Sequence, residues 1–172
     1  EVEIIALGDL KAVEKALEKN DVCAVIVECI QGVGGLDEYQ TEFYQGLQKL
    51  CRQYDTAFII DEVQSGFGRT GDFFAFQKHG LVPDIISIAK GMGNGFPVGG
   101  IMIHPKIKAS HGLLGTTFGG NHLACVAVLT VLDVIEKEQL MENAKRINAY
   151  FLKKAQELPQ LSRVKGRGLM LG

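Results

Sequence analysis

The stretch FIIDEVQSGFGRTG, Phe58–Gly71, drives an apolar run straight into two acids, Asp61 and Glu62, and then into a loop punctuated by glycine. An apolar run without polar alternation is the pattern of a strand buried on both faces, the habit of parallel sheets flanked by helices. A carboxylate at the end of such a run is costly unless something pairs with it. The neighbouring segments fit the same frame. CAVIVE (23–28) and DIISIAK (84–90) are two further runs, and AFIID (57–61) lies between them. Helical spacing falls between the strands. One helix is expected over 10–19, capped by Asp9, with Leu10, Val13 and Leu17 on one face and Asn20 as its stop. Another covers 38–54, with Phe43, Leu47, Leu50, Cys51 and Tyr54 at helical intervals. Strands alternating with helices predict an α/β fold: a mostly parallel sheet with flanking helices.

Past Gly71 the pattern continues with a short helix near 73–79. VGGIMIH (98–104) is a fourth strand, too close behind Lys90 for a helical crossover, and is expected to run antiparallel. A helix over 120–137 carries Leu123, Val126, Leu129, Leu132 and Ile135 nearly all round and is expected to be well buried. A last amphipathic helix covers 140–157, ended by Pro159. The opening residues read as the end of a strand and GRGLMLG as the start of another, as if both ends were cut inside structure.

Composition narrows the class. The 172 residues are enough for one domain with a core, and a hydrophobic fraction of 47% with 22% charged residues is ordinary for a globular chain. A net charge of -2 supplies no attraction for nucleic acid or an anionic membrane. No apolar stretch reaches the roughly 20 residues that a membrane helix needs. The four cysteines form no C-x-x-C pair, and Cys23 and Cys29 sit in an apolar run, which reads as reduced, buried thiols in a cytoplasmic protein. The four histidines show no ligand spacing, and no metal is expected.

Three apolar runs end in Glu28, Asp61 and Lys90. Ligands bind beyond the carboxyl ends of strands in open parallel sheets, so the three tips are expected to meet at one site. Each alone also reads as the first solvated residue after a strand. A lysine at such a tip, taken out of water, loses proton affinity and becomes a nucleophile. The loop GMGNGFPVGG (91–100) lacks the spacing of a dinucleotide fingerprint and leads into a strand instead of a helix. GTTFGG (115–120) precedes a helix; its threonines and free N–H groups suit a phosphate, and ordinary capping by threonine explains it equally well. A nucleophilic lysine, a carboxylate and a phosphate cradle are the parts of a pyridoxal phosphate site, where the carboxylate keeps the pyridine nitrogen protonated.

With these residues in view, IIDEVQSGFGRTG, PDIISIAKGMGNGFPVGG and GTTFGGNHLAC resemble, in order, the class III (subgroup II) pyridoxal phosphate aminotransferases, nearest to the acetylornithine and ornithine type. The resemblance implies the large domain of a fold-type I transferase. It implies that Lys90 holds the cofactor and shuttles the proton, that Asp61 pairs with the pyridine nitrogen, that Val63 packs on one ring face, and that Gln64 bonds near the ring hydroxyl. Glu62, in the same motif, belongs with the cofactor-binding residues without a defined contact. Thr117 would bind the phosphate across a homodimer interface. Thr116 would lie near phosphate or substrate, Glu28 would support the site from the neighbouring strand, and Arg69 would be structural or interfacial. Cys29, Val33, Phe118 and His122 depart from the usual pattern, and Val33, where many relatives carry an acid, bears on substrate choice.

Family members are longer, so 1–172 is expected to be the central part of the large domain, without its N-terminal part and the small C-terminal domain, and inactive by itself. The implied reaction moves the terminal amino group of N-acetylornithine, or a related acylated ornithine, to 2-oxoglutarate, in arginine biosynthesis. Ornithine, succinylornithine and 4-aminobutyrate are the alternative donors. A non-catalytic, truncated α/β module is the alternative of another class.

Overall fold

The computed structural model describes residues 1–108, 110–113, 115–161 and 163–172. Four strands form the main sheet in the order β1-β2-β3-β4: β1 Ala24–Val27, β2 Ala57–Asp61, β3 Ile85–Ile88 and β4 Gly100–Ile103. β1, β2 and β3 run parallel, with Val27 beside Ile60 and Asp61 beside Ser87. β4 is antiparallel to β3, as its short connection requires. The fold is therefore the α/β arrangement that the alternating pattern predicts.

The helices are α1 Leu10–Leu17, α2 Thr41–Gln53, α3 His122–Lys137 and α4 Leu140–Ala155. Asp9 caps α1 by accepting the Ala12 N–H at 2.9 Å. A 3₁₀ segment, Ala75–His79, stands where the short helix is expected. One face of the sheet meets α1 and α2. Phe58 and Ile60 pack there against Val13, Leu17, Phe43, Tyr44, Leu47 and Cys51. Ile86 and Ile88 continue the same face and pack on Phe74. Asp84 joins two strands at their starts, taking the Phe58 N–H at 2.9 Å.

The opposite face departs from expectation. The apolar runs of the parallel strands predict burial on both sides, yet Ile26 is 63% exposed; all four residues of the neighbouring antiparallel β4 are exposed too. α3 also corrects the reading: only Ala124 and Ile135 are buried, while Leu123, Val126 and Leu129 are 60–73% exposed. Within this chain α1 and α2 cover one face of the sheet, and α3 packs chiefly on α4. Two smaller corrections follow. Residues 1–6 form no strand, and Val2 and Ile4 are exposed. Cys29 and Cys51 are buried free thiols, but Cys23 and Cys125 are exposed, because Cys23 precedes β1 and lies outside the core. At the far end, GRGLMLG forms a small hairpin of β5 Gly166–Arg167 and β6 Met170–Leu171.

Candidate active site

The parallel strands bring Glu28, Asp61 and Lys90 to the same edge of the sheet. β1, β2 and β3 are consecutive neighbours, and each of the three residues ends or follows its strand at the carboxyl side. Lys90 opens a single 3₁₀ turn, Lys90–Met92, that lifts it beyond the sheet. The sequence leads one to expect a desolvated lysine there; in this chain Lys90 is exposed, because β3 stops at Ile88 and the turn carries the side chain clear of the core.

A cleft of about 440 Å³ adjoins this edge. Lys90 and Gln64 both line it, with Phe67, Arg69 and Asn94 from the two glycine-rich loops and Thr130 from α3. Phe67, Lys90 and Asn94 all have left-handed backbone, with φ of +57°, +46° and +46°. Non-glycine residues hold that conformation at a cost of order 1–3 kcal/mol each, and such residues cluster at functional sites. Three of them on one cleft mark it out. Sequence reading misses Phe67, Asn94 and Thr130; an asparagine between two glycines, Gly93-Asn94-Gly95, is the one local signal for a left-handed residue.

The two adjacent acids part company. Burial alternates along β2, with Phe58 and Ile60 toward the helices. Asp61 therefore shares the other face with Ile59 and Ser87. It is half-buried, and its Oδ1 accepts the Val63 N–H at 2.8 Å. Glu62 turns the opposite way and is 0% exposed. Its carboxylate accepts from the Ser65 hydroxyl at 2.7 Å, the Ala75 N–H at 3.1 Å and the Phe76 N–H at 2.9 Å. Burial pushes its carboxyl above the usual range, opposed by those three hydrogen bonds. Glu62 is thus a fastener between the loop after β2 and the 3₁₀ segment, with its carboxylate spent inside the core. The grouping of Glu62 with ligand-facing residues treats the pair as one acidic motif and overlooks the period of two.

Glu28 is half-buried, and its Oε2 accepts the Gly32 N–H at 2.9 Å. Val63 is half-buried at the start of the loop after β2. Val33 stands on an exposed loop tip. Thr116 and Thr117 are exposed on the loop before α3, and neither lines the Lys90 cleft. The capping of α3 falls to Asn121, whose Oδ1 accepts the Ala124 N–H at 3.0 Å, so the threonines are not its caps. Among the described residues no group of three or more His, Cys, Asp or Glu side chains is arranged to hold a metal.

A second polar cluster lies outside the lining of the cleft. Glu38 Oε1 is 3.1 Å from Lys78 Nζ and 3.3 Å from both His79 Nε2 and an Arg167 nitrogen. Arg167 also pairs with Asp72 at 2.8 Å and donates to the Ala75 carbonyl at 3.1 Å. Burial alone would raise the Glu38 carboxyl; His79, Arg167 and Lys78 overturn that and hold it at about 2.

Comparison with known proteins agrees with this architecture. The chain is 45% identical over 168 residues to the acetylornithine aminotransferase of Aquifex aeolicus (strain VF5), covering 96% of this chain and 44% of that protein. It is 41% identical over 173 residues to the acetylornithine aminotransferase of Archaeoglobus fulgidus, covering 99% and 45%. Among solved structures it resembles Plasmodium falciparum ornithine delta-aminotransferase, with a TM-score of 0.88, 35% identity, and coverage of 96% of this chain and 45% of that one. The ornithine aminotransferase of Toxoplasma gondii ME49 gives 0.90, 33% identity, and coverage of 97% and 42%. The chain spans less than half the length of the curated relatives it matches. The profile described as Aminotransferase class-III matches residues 2–172, and the chain belongs to that family of pyridoxal phosphate enzymes.

Proposed function

We propose that this chain is the central part of the large domain of an aminotransferase that moves the terminal amino group of N-acetylornithine, or a related acylated ornithine, to 2-oxoglutarate. The observation that carries the reading is the cleft lined by Lys90 and Gln64 together with the left-handed Phe67 and Asn94, at the sheet edge where β2 ends in Asp61; Asp61 itself does not line the cleft. These residues suit pyridoxal 5'-phosphate: an amine for its aldehyde carbon, a carboxylate for its ring nitrogen and an amide for its hydroxyl. The bound cofactor supplies an electron sink for the carbon that loses its proton.

Lys90 Nζ holds the cofactor at rest. Its free amine would take the proton from the donor carbon and deliver it to the cofactor's former aldehyde carbon. Asp61 faces the ring nitrogen with a carboxylate that the Val63 N–H holds in place. Val63 packs on one ring face and Gln64 bonds to the ring hydroxyl. Thr117 reaches the phosphate of a partner subunit's site, Thr116 lies near phosphate or substrate, and Glu28 steadies the loop beside Gln64. The exposed apolar surface of α3 and β4 supports the homodimer this requires, since contiguous apolar surface marks interaction sites. A cytoplasmic location in arginine biosynthesis belongs to the same proposal; none of the described helices is long and apolar enough to cross a membrane.

The test uses the intact protein. Incubation with pyridoxal 5'-phosphate, borohydride reduction and peptide mapping are expected to place the pyridoxyl label on Lys90; a label elsewhere, or none, overturns the assignment. A donor screen with 2-oxoglutarate, reading glutamate, is expected to favour N-acetylornithine over succinylornithine, ornithine and 4-aminobutyrate. The solved relatives named for ornithine make ornithine the second reading, and a preference for it would replace the first.

A further inference from the structure

Gly32 sits in the loop after β1, where its N–H is held by Glu28. Its backbone lies outside the left-handed region, so conformation alone does not call for glycine. Contact does. A methyl group built on its Cα would overlap the Gln64 side-chain amide at Nε2 and Cδ and stand 2.8 Å from Oε1. The surroundings of Gly35, three residues on, are open. Gln64 is the residue that, with Lys90, lines the cleft.

We infer that Gly32 is a positioning residue: its bare Cα, anchored through its N–H by the Glu28 carboxylate, forms the seat on which the Gln64 amide rests beside Lys90. The inference rests on the reading that Gln64 serves the cofactor. It links two strand tips: Glu28, just past the end of β1, fixes Gly32, and Gly32 seats Gln64, three residues past the end of β2. A side chain at position 32 displaces Gln64 before it disturbs the sheet, because the overlapping atoms are the far end of a flexible chain.

The experiment compares Gly32→Ala, Gln64→Ala and the double variant of the intact protein. The cofactor-free crystal structure of Gly32→Ala is expected to show the Gln64 amide moved from its seat with β1 and β2 in place. Binding of pyridoxal 5'-phosphate is expected to weaken about tenfold in either single variant, the worth of one hydrogen bond. The double variant is expected to lie within about twofold of the singles, because both changes remove the same interaction. Should Gly32→Ala fail to fold, the double variant, which removes the overlapping amide, is expected to fold. An unmoved Gln64, fully additive losses, or a double variant that also fails to fold overturns the inference. A wild-type protein that binds no cofactor overturns the proposed function instead, and the cofactor-free crystal structure still decides the role of Gly32.

Discussion

Adjacent carboxylates on opposite faces of one strand end give a sharp prediction: Asp61 and Glu62 fail in different ways. Glu62→Ala removes the acceptor of the Ala75 and Phe76 N–H groups and of the Ser65 hydroxyl. A buried donor left unpaired costs about 1–3 kcal/mol. The hydroxyl can rotate to another partner, and removing a buried carboxylate relieves its own desolvation. The two amides then set a loss of about 2–4 kcal/mol. That corresponds to roughly 30- to 1,000-fold faster hydrogen exchange, if the opening is local to the loop and the 3₁₀ segment. Asp61→Asn keeps an oxygen for the Val63 N–H, so its stability cost is expected to stay within about 0.5 kcal/mol. It removes the charge opposite the cofactor nitrogen, and loss of one preorganised electrostatic partner costs about 100- to 1,000-fold in kcat. The assay is exchange mass spectrometry over residues 70–80 of the intact protein, beside steady-state turnover. Equal loss of protection in both variants, or none in Glu62→Ala, would refute the division of labour.

Lys90→Ala is expected to abolish steady-state transamination in the intact protein while leaving its far-ultraviolet circular dichroism unchanged; near-normal rates would exclude Lys90 as the central amine. Acid is expected to weaken the join between the loop before α2, the 3₁₀ segment and the C-terminal hairpin. Glu38 is held at about 2, below its ordinary 4.5, by His79, Arg167 and Lys78 against the opposing pull of burial. A lowered carboxylate contributes stability that is present above about pH 4.5 and lost as pH falls toward 2. The full shift is worth about 3 kcal/mol, reduced to about 1–2 kcal/mol by solvent at a side chain 18% exposed. Glu62 has the opposite sign, since its raised carboxyl favours the folded state as pH falls. Urea unfolding of Glu38→Gln between pH 5 and 2.5 is expected to show a flatter profile than wild type; an unchanged slope would remove Glu38 from the account.

The strands and their directions were legible because they depend on local pattern. Runs of four or five apolar residues separated by helical spacing leave few arrangements, and the short link from Lys90 to β4 decides its direction. The meeting of Glu28, Asp61 and Lys90 at one edge needs, besides the parallel direction, that β1, β2 and β3 be neighbours, which the sheet supplies. What was not legible depends on contacts between distant segments. Glu38, His79 and Arg167 come from three separate parts of the chain, and nothing beside any of them in sequence announces the others. Gly32 looks like any loop glycine until Gln64 is seen against it. The opposed directions of Asp61 and Glu62 were readable from strand alternation, and treating them as one motif hid it.

The misjudged burial of β1 and α3 has a different cause. Apolar periodicity reports which surface gains by leaving water; it carries no information about what covers that surface. Ile26, Leu123, Val126 and Leu129 satisfy every sequence criterion for a core, and inside this chain they face solvent. Asp61 stands on the same sheet face as Ile26, since Ile26 pairs with Ile59 and Ile59 precedes Asp61 by two residues. The strand tip that carries the proposed cofactor contact therefore belongs to the face that the chain's own helices leave open. Whatever covers that face also sets the dielectric around Asp61, and with it the strength of the charge it offers to a ring nitrogen. Chemistry at this edge and burial of the open face are one physical problem.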